Sequence, residues 1–133
     1  MPAVFKKMNL KDEKEIVVLN APESFSPELS ALKGVKILRD AGRVQEIRYV
    51  LAFVIKQAEV DSLSRAVASK VIGDAQVWFA YPKGTSKKYK CEFNRDNGWA
   101  VINGLGWRGI RMIAIDEDWS ALRFRRVEYI KRK

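Results

Sequence analysis

Val77-Trp78-Phe79-Ala80-Tyr81-Pro82-Lys83-Gly84-Thr85-Ser86 is a compact apolar run that stops abruptly in proline, lysine, glycine and two hydroxyls. A buried strand delivers polar groups to the rim of a sheet in this way. Working outward from it, the upstream segment 58–71 places Val60, Leu63, Val67 and Val71 at helical spacing, with Asp61, Ser64, Arg65 and Lys70 between them, and Gly73-Asp74 ends that helix. Further upstream, Ile47–Val54 is nearly continuous in apolar residues and reads as a central strand covered on both faces.

The remaining punctuation extends the same alternation. Glu15–Asn20 is a short apolar strand closed by Asn20-Ala21-Pro22. A helix follows, with Ser26 as cap, Pro27 at the first helical position, Glu28 complementing the dipole and Gly34 closing it. Val35–Asp40 reads as the second strand. Downstream, Tyr89, Cys91 and Phe93 alternate like a strand, although a lysine-rich loop fits equally; Asn94 or Asp96 caps a helix over Trp99–Asn103, against the hairpin signal Asn97-Gly98. Ile110–Ile115 is a fifth strand, and Ala121–Val127 alternates apolar and basic residues like an edge strand with one wet face. The order β-α-β-β-α-β-α-β-β predicts an α/β fold: a three-layer Rossmann-like sandwich, mostly parallel, with a C-terminal antiparallel hairpin.

At 133 residues the chain suits one domain, with 1–14 as an N-terminal extension and 128–133 as a basic tail. No window approaches the roughly 18 apolar residues of a membrane helix, so no membrane association is expected. The single cysteine, Cys91, excludes an intrachain disulfide and fits a reducing cytoplasm. The absence of histidine excludes Ser-His and Cys-His nucleophilic pairs and His-bearing metal sites. Asp116-Glu117-Asp118 lacks calcium-loop spacing, and no metal or cofactor is expected. The net charge of +9 is lopsided: residues 1–82 carry 12 Lys/Arg and 10 Asp/Glu, residues 83–133 carry 13 and 6.

Four stretches invite a functional reading. Gly104-Leu105-Gly106-Trp107-Arg108-Gly109 matches the dinucleotide fingerprint, but it follows a helix and precedes a strand, the reverse of the context in which a helix N-terminus meets pyrophosphate. It reads as a helix C-terminal turn. Pro82–Ser86 offers Lys83 as a point charge and Thr85, Ser86 and the Gly84 amide as donors to an anion, or else a simple strand-to-loop turn. Asp116–Ser120 crowds three acids beside Trp119, as a polarised carboxylate cluster or a solvated turn. Lys87, Lys88, Lys90, Arg123, Arg125, Arg126 and Lys131–Lys133, with Tyr89 and Trp119 as stacking platforms, offer a surface for single-stranded nucleic acid, or simply a solvated one.

The segments Val18–Glu23, Trp78–Ser86 and Ile115–Phe124 resemble a family of small bacterial proteins known as a domain of unknown function, a likeness that spans about residues 15–127. The order of elements also resembles the later half of class I S-adenosylmethionine-dependent methyltransferases. That resemblance implies a cofactor loop after strand one and an acid ending strand two; here those places hold Asn20-Ala21-Pro22-Glu23, with no glycine anywhere in residues 1–33, and Asp40.

In such sheets ligands bind beyond the carboxyl ends of the strands. The expected cleft therefore joins Asn20, Pro22 and Glu23; Tyr81, Lys83, Thr85 and Ser86; and Asp116, Trp119 and Arg123. The leading expectation is a non-catalytic regulatory module, a monomer or small homo-oligomer, binding a small anionic ligand or an acidic peptide. The alternatives are a divergent or vestigial S-adenosylmethionine-type transferase and a nucleic-acid-binding protein.

Overall fold

The computed structural model describes residues 2–130, and of Arg43 the backbone alone. Six strands form one mixed sheet: β1 (Glu15–Leu19), β2 (Lys36–Leu38), β3 (Ile47–Phe53), β4 (Val71–Pro82), β5 (Trp107–Ala114) and β6 (Trp119–Arg126), in the order β2-β1-β3-β4-β6-β5. The pairings β1–β2, β1–β3 and β3–β4 are parallel. Those of β6 with β4 and with β5 are antiparallel, so the expectation of a mostly parallel sheet is off in part.

Helices cover both faces. On one, α1 (Ala3–Lys7) and α2 (Ser26–Ser30) bring Phe5, Phe25 and Leu29 against Ile16, Val18, Tyr49, Leu51, Trp78 and Ala80. On the other, α3 (Gln57–Ala68) and α4 (Ala100–Gly104) bring Val60, Val67 and Ile102 against Val17, Val50, Ala52, Val77 and Phe79. The alternation of these sets along β3 and β4 is the period-two signature of strands buried on both sides. The segment 2–14 packs against the sheet: Val4, Phe5, Met8 and Leu10 are buried, and the buried Tyr49 hydroxyl donates to the Met8 carbonyl at 2.9 Å.

Several boundaries differ from expectation for local reasons. Helix α3 ends at Ala68, and β4 is already paired at Val71, opposite Ile47. Gly73, at φ +58°, sits inside β4 where the register with β3 shifts. Ser26 makes no side-chain cap, because a 3-10 turn over Glu23–Phe25 leads into α2. Asn94 caps a turn rather than a helix, its side chain accepting from the amides of Asp96 and Asn97.

The edge assignment is corrected. β6 is internal, hydrogen-bonded on both sides, with Trp119–Leu122 buried; β5 is the edge. α4 has only five residues, and on the edge strand β5 Ile110 and Met112 stay more than 40% exposed. Among the described residues no helix is long and apolar enough to cross a membrane.

Candidate functional site

The expected cleft divides into three places. At the end of β1, Asn20 turns the chain at φ +59°, a conformation that Asn tolerates better than most residues, and Glu23 opens the 3-10 turn; both are exposed. Beyond them lies an aromatic row. Phe25 meets Phe53 at 5.0 Å between ring centroids, Phe53 meets Trp119 at 5.1 Å, and Trp119 meets Tyr89 at 5.0 Å. Phe25 follows β1, Phe53 ends β3 and Trp119 opens β6, so rings fill the space where these strand ends converge. Trp119 is 3% exposed and is a core residue, not a cleft wall.

At the end of β4 a cavity of about 840 Å3 opens, lined by Tyr81, Pro82, Lys83, Gly84, Thr85 and Ser86 and by the facing loop from Tyr89 to Asp96. Lys83, Lys90 and Arg95 bring three cations to it, against the one carboxylate of Asp96, which Arg95 already meets at 3.4 Å. The loop is held from below. The Lys83 amide donates to the Asp118 carbonyl at 2.8 Å, and the Ser86 hydroxyl donates to the Asp118 carboxylate at 2.8 Å. Ser86 Oγ also accepts from the amides of Lys88 and Tyr89, so this hydroxyl orders the loop and has little left for a ligand. Thr85 is exposed on the cavity rim.

Asp116 accepts from the amides of Asp118 and Trp119, which makes the acidic triplet the turn between β5 and β6. No group of three or more acids or cysteines among the described residues has metal-binding geometry. Burial raises the Tyr81 phenol and the Cys91 thiol above their ordinary values, so both groups present neutral, protonated edges. Tyr81 Oη lies 3.1 Å from Met112 Sδ, which fixes the ring as one wall.

Arg123 lies elsewhere. It pairs with Trp78, whereas Trp119 pairs with Pro82; four strand positions at about 3.3 Å each separate it by about 13 Å from the strand ends. It lines a different cavity, with Gln76 and the Arg125–Asp74 pair, at the amino end of β4. Antiparallel pairing reverses β6, so its early residues meet the β4 terminus and its later ones meet the β4 start.

Lys90 and Arg95 were not expected in the site. Their segment reads from sequence as either strand or loop, and only the fold of that loop beside the β4 end brings these exposed residues to the cavity. Asp40, the residue in place of an acid ending strand two, accepts from the Gly42 amide at 2.9 Å and caps a 3-10 turn over Ala41–Arg43. The dinucleotide-like hexapeptide spans the end of α4 and the start of β5, with Gly106 at φ +96° in the turn. Of the basic surface residues, Lys131–Lys133 lie outside the described residues.

No family model matches the sequence and no curated protein does, so the suggested bacterial family finds no support in sequence comparison. Solved structures do match. A putative type 11 methyltransferase from Sulfolobus solfataricus aligns with 85% of this chain and 84% of its own, at TM-score 0.55 and 8% identity. The ribosomal protein L11 methylase from Lactobacillus delbrueckii subsp. bulgaricus aligns with 92% of this chain and 76% of its own, at 0.57 and 10%. TrmN from Thermus thermophilus aligns with 94% of this chain at 0.59 and 9%, and the chain spans only 47% of its length. The fold is that of the Rossmann-like methyltransferases.

Proposed function

We propose that this chain is a binding module on a methyltransferase-like fold, without methyl transfer, whose cleft beyond β4 takes a small anionic ligand or an acidic peptide. The observation that carries it is the excess of cations in that cleft: Lys83, Lys90 and Arg95 line the same cavity of about 840 Å3, with Asp96 as partner to Arg95. Tyr81 and Phe93 supply apolar walls and Thr85 a hydroxyl, the mix of apolar surface and few polar anchors expected of a ligand site. A non-catalytic role is supported by the β1 and β3 ends. The turn after β1 is Asn20-Ala21-Pro22-Glu23, and the rings of Phe25, Phe53 and Trp119 occupy the neighbouring space.

A second reading, an S-adenosylmethionine-type transferase, is favoured by the extent of the structural likeness to named methyltransferases. Thermal shift separates the two. With dicarboxylates, acidic peptides, nucleotides and S-adenosylmethionine at low and high salt, a ligand at 100 times its dissociation constant adds about 2.7 kcal/mol. The binding-module reading expects stabilisation by an acidic ligand that is lost in Lys83→Ala. Stabilisation by S-adenosylmethionine alone would replace it with the transferase reading.

A further inference from the structure

The cavity that holds Arg123, about 630 Å3 in volume, lies at the opposite end of β4 from the Lys83 cleft. Its side-chain acceptors are engaged in part, one Glu13 carboxylate oxygen aside. Both carboxylate oxygens of Asp74 accept from Arg125, with Nε at 2.9 and 3.1 Å. Gln76 donates through Nε2 to the Asn9 carbonyl and accepts through Oε1 from Trp78 Nε1. Glu13 accepts from the Lys11 amide at 2.8 Å.

Arg123 is left over. Its Nε is enclosed without a hydrogen-bond partner, and among the described residues none of its donors is matched by an acceptor. Arg111 stands directly across the strand pair and Arg125 two residues along, so like charges crowd a half-buried guanidinium. Arg48, exposed on the same cavity wall, adds a further cation. Asp74, already bonded to Arg125, offsets part of this repulsion; the unmatched Nε and the remaining excess of cations are costs that an incoming oxyanion removes together, and the guanidinium fork matches phosphate geometry.

We infer that this cavity is a phosphate site, in which Arg123 and Arg48 take the oxygens of a phosphoryl group carried by a small phosphorylated molecule or by a nucleic-acid backbone. It is independent of the Lys83 cleft and of any ligand bound there.

Titration of the whole protein with inorganic phosphate, pyrophosphate and a short single-stranded RNA, followed by calorimetry and by the arginine Nε–H resonances, tests this. Saturable binding of at least one probe is expected, with the Arg123 Nε–H signal displaced. Arg123→Gln and Arg48→Gln should each weaken it by about tenfold or more, since each removes charge-assisted hydrogen bonds. Arg48 is exposed, so its variant reports even where Arg123→Gln compromises folding. Lys83→Ala should leave the phosphate dependence of the Arg123 Nε–H displacement unchanged, whatever binding the Lys83 cleft itself adds to the heat. Affinity for RNA far above that for pyrophosphate, falling steeply with salt, assigns a nucleic-acid backbone; equal or better binding of pyrophosphate assigns a small ligand. The site is refuted by lack of saturable binding to all three probes, by wild-type affinity in both arginine variants, or by loss of the Arg123 Nε–H displacement in Lys83→Ala.

Discussion

Gly98 shows how a single residue sets the shape of the cleft. Its φ of +95° is left-handed, and a Cβ there would lie 2.4 Å from Phe93 Cβ and 2.9 Å from Gln57 Oε1. Gln57 also donates to the Gly98 carbonyl at 2.7 Å, which ties the cleft loop to the first turn of α3. Gly98→Ala should therefore destabilise the protein by about 2–3 kcal/mol, through backbone strain and overpacking, read as a lower urea midpoint. Tyr49 is a different case: burial lifts its phenol far above the ordinary value, so it remains a neutral donor to Met8. Tyr49→Phe strands a buried carbonyl and should cost about 1–3 kcal/mol, measured in the same titration.

At the scale of elements, β4 and β6 are joined across their starts and ends by Asp74–Arg125. The Arg125 hydrogen bond, above all, holds the Asp74 carboxyl below its ordinary value. A carboxylate lowered in the folded state contributes stability that is present above the unfolded pKa of about 4 and is lost as pH falls through the folded value. Exposure and salt screening limit the pair to about 0.5–1 kcal/mol. Denaturation midpoints of Asp74→Asn should fall below wild type at pH 7, with the difference closing in acid.

The elements themselves were legible where periodicity is strong. Tyr49–Val54 and Val77–Tyr81 have no charged interruption and read as doubly covered strands, and the punctuation around Pro27 located α2. What sequence could not carry was the placement of β6. An alternation of arginines with apolar residues is the same whether a strand is an edge or is paired on both sides, and the difference lies in the insertion of β6 between β4 and β5. The misplacement of Arg123 follows directly: a residue four positions after a strand start looks close to that strand's turn, yet in an antiparallel partner each step leads away from it. Ser86, too, reads as a free donor until the Asp118 carboxylate is brought beneath it.

For the whole molecule, the insertion of β6 between β4 and β5 has a consequence in time. The ribosome releases the chain from its amino end, so β1 to β4 are complete while β6 is still unmade. Until residues 119–126 emerge, β4 is a bare edge carrying Val77, Phe79 and Tyr81, long, apolar and without a charge between Ala75 and Pro82 to repel a neighbour. The sixth strand in chain order is thus the one that shields the central sheet, and a nascent chain halted before it presents the template for its own aggregation.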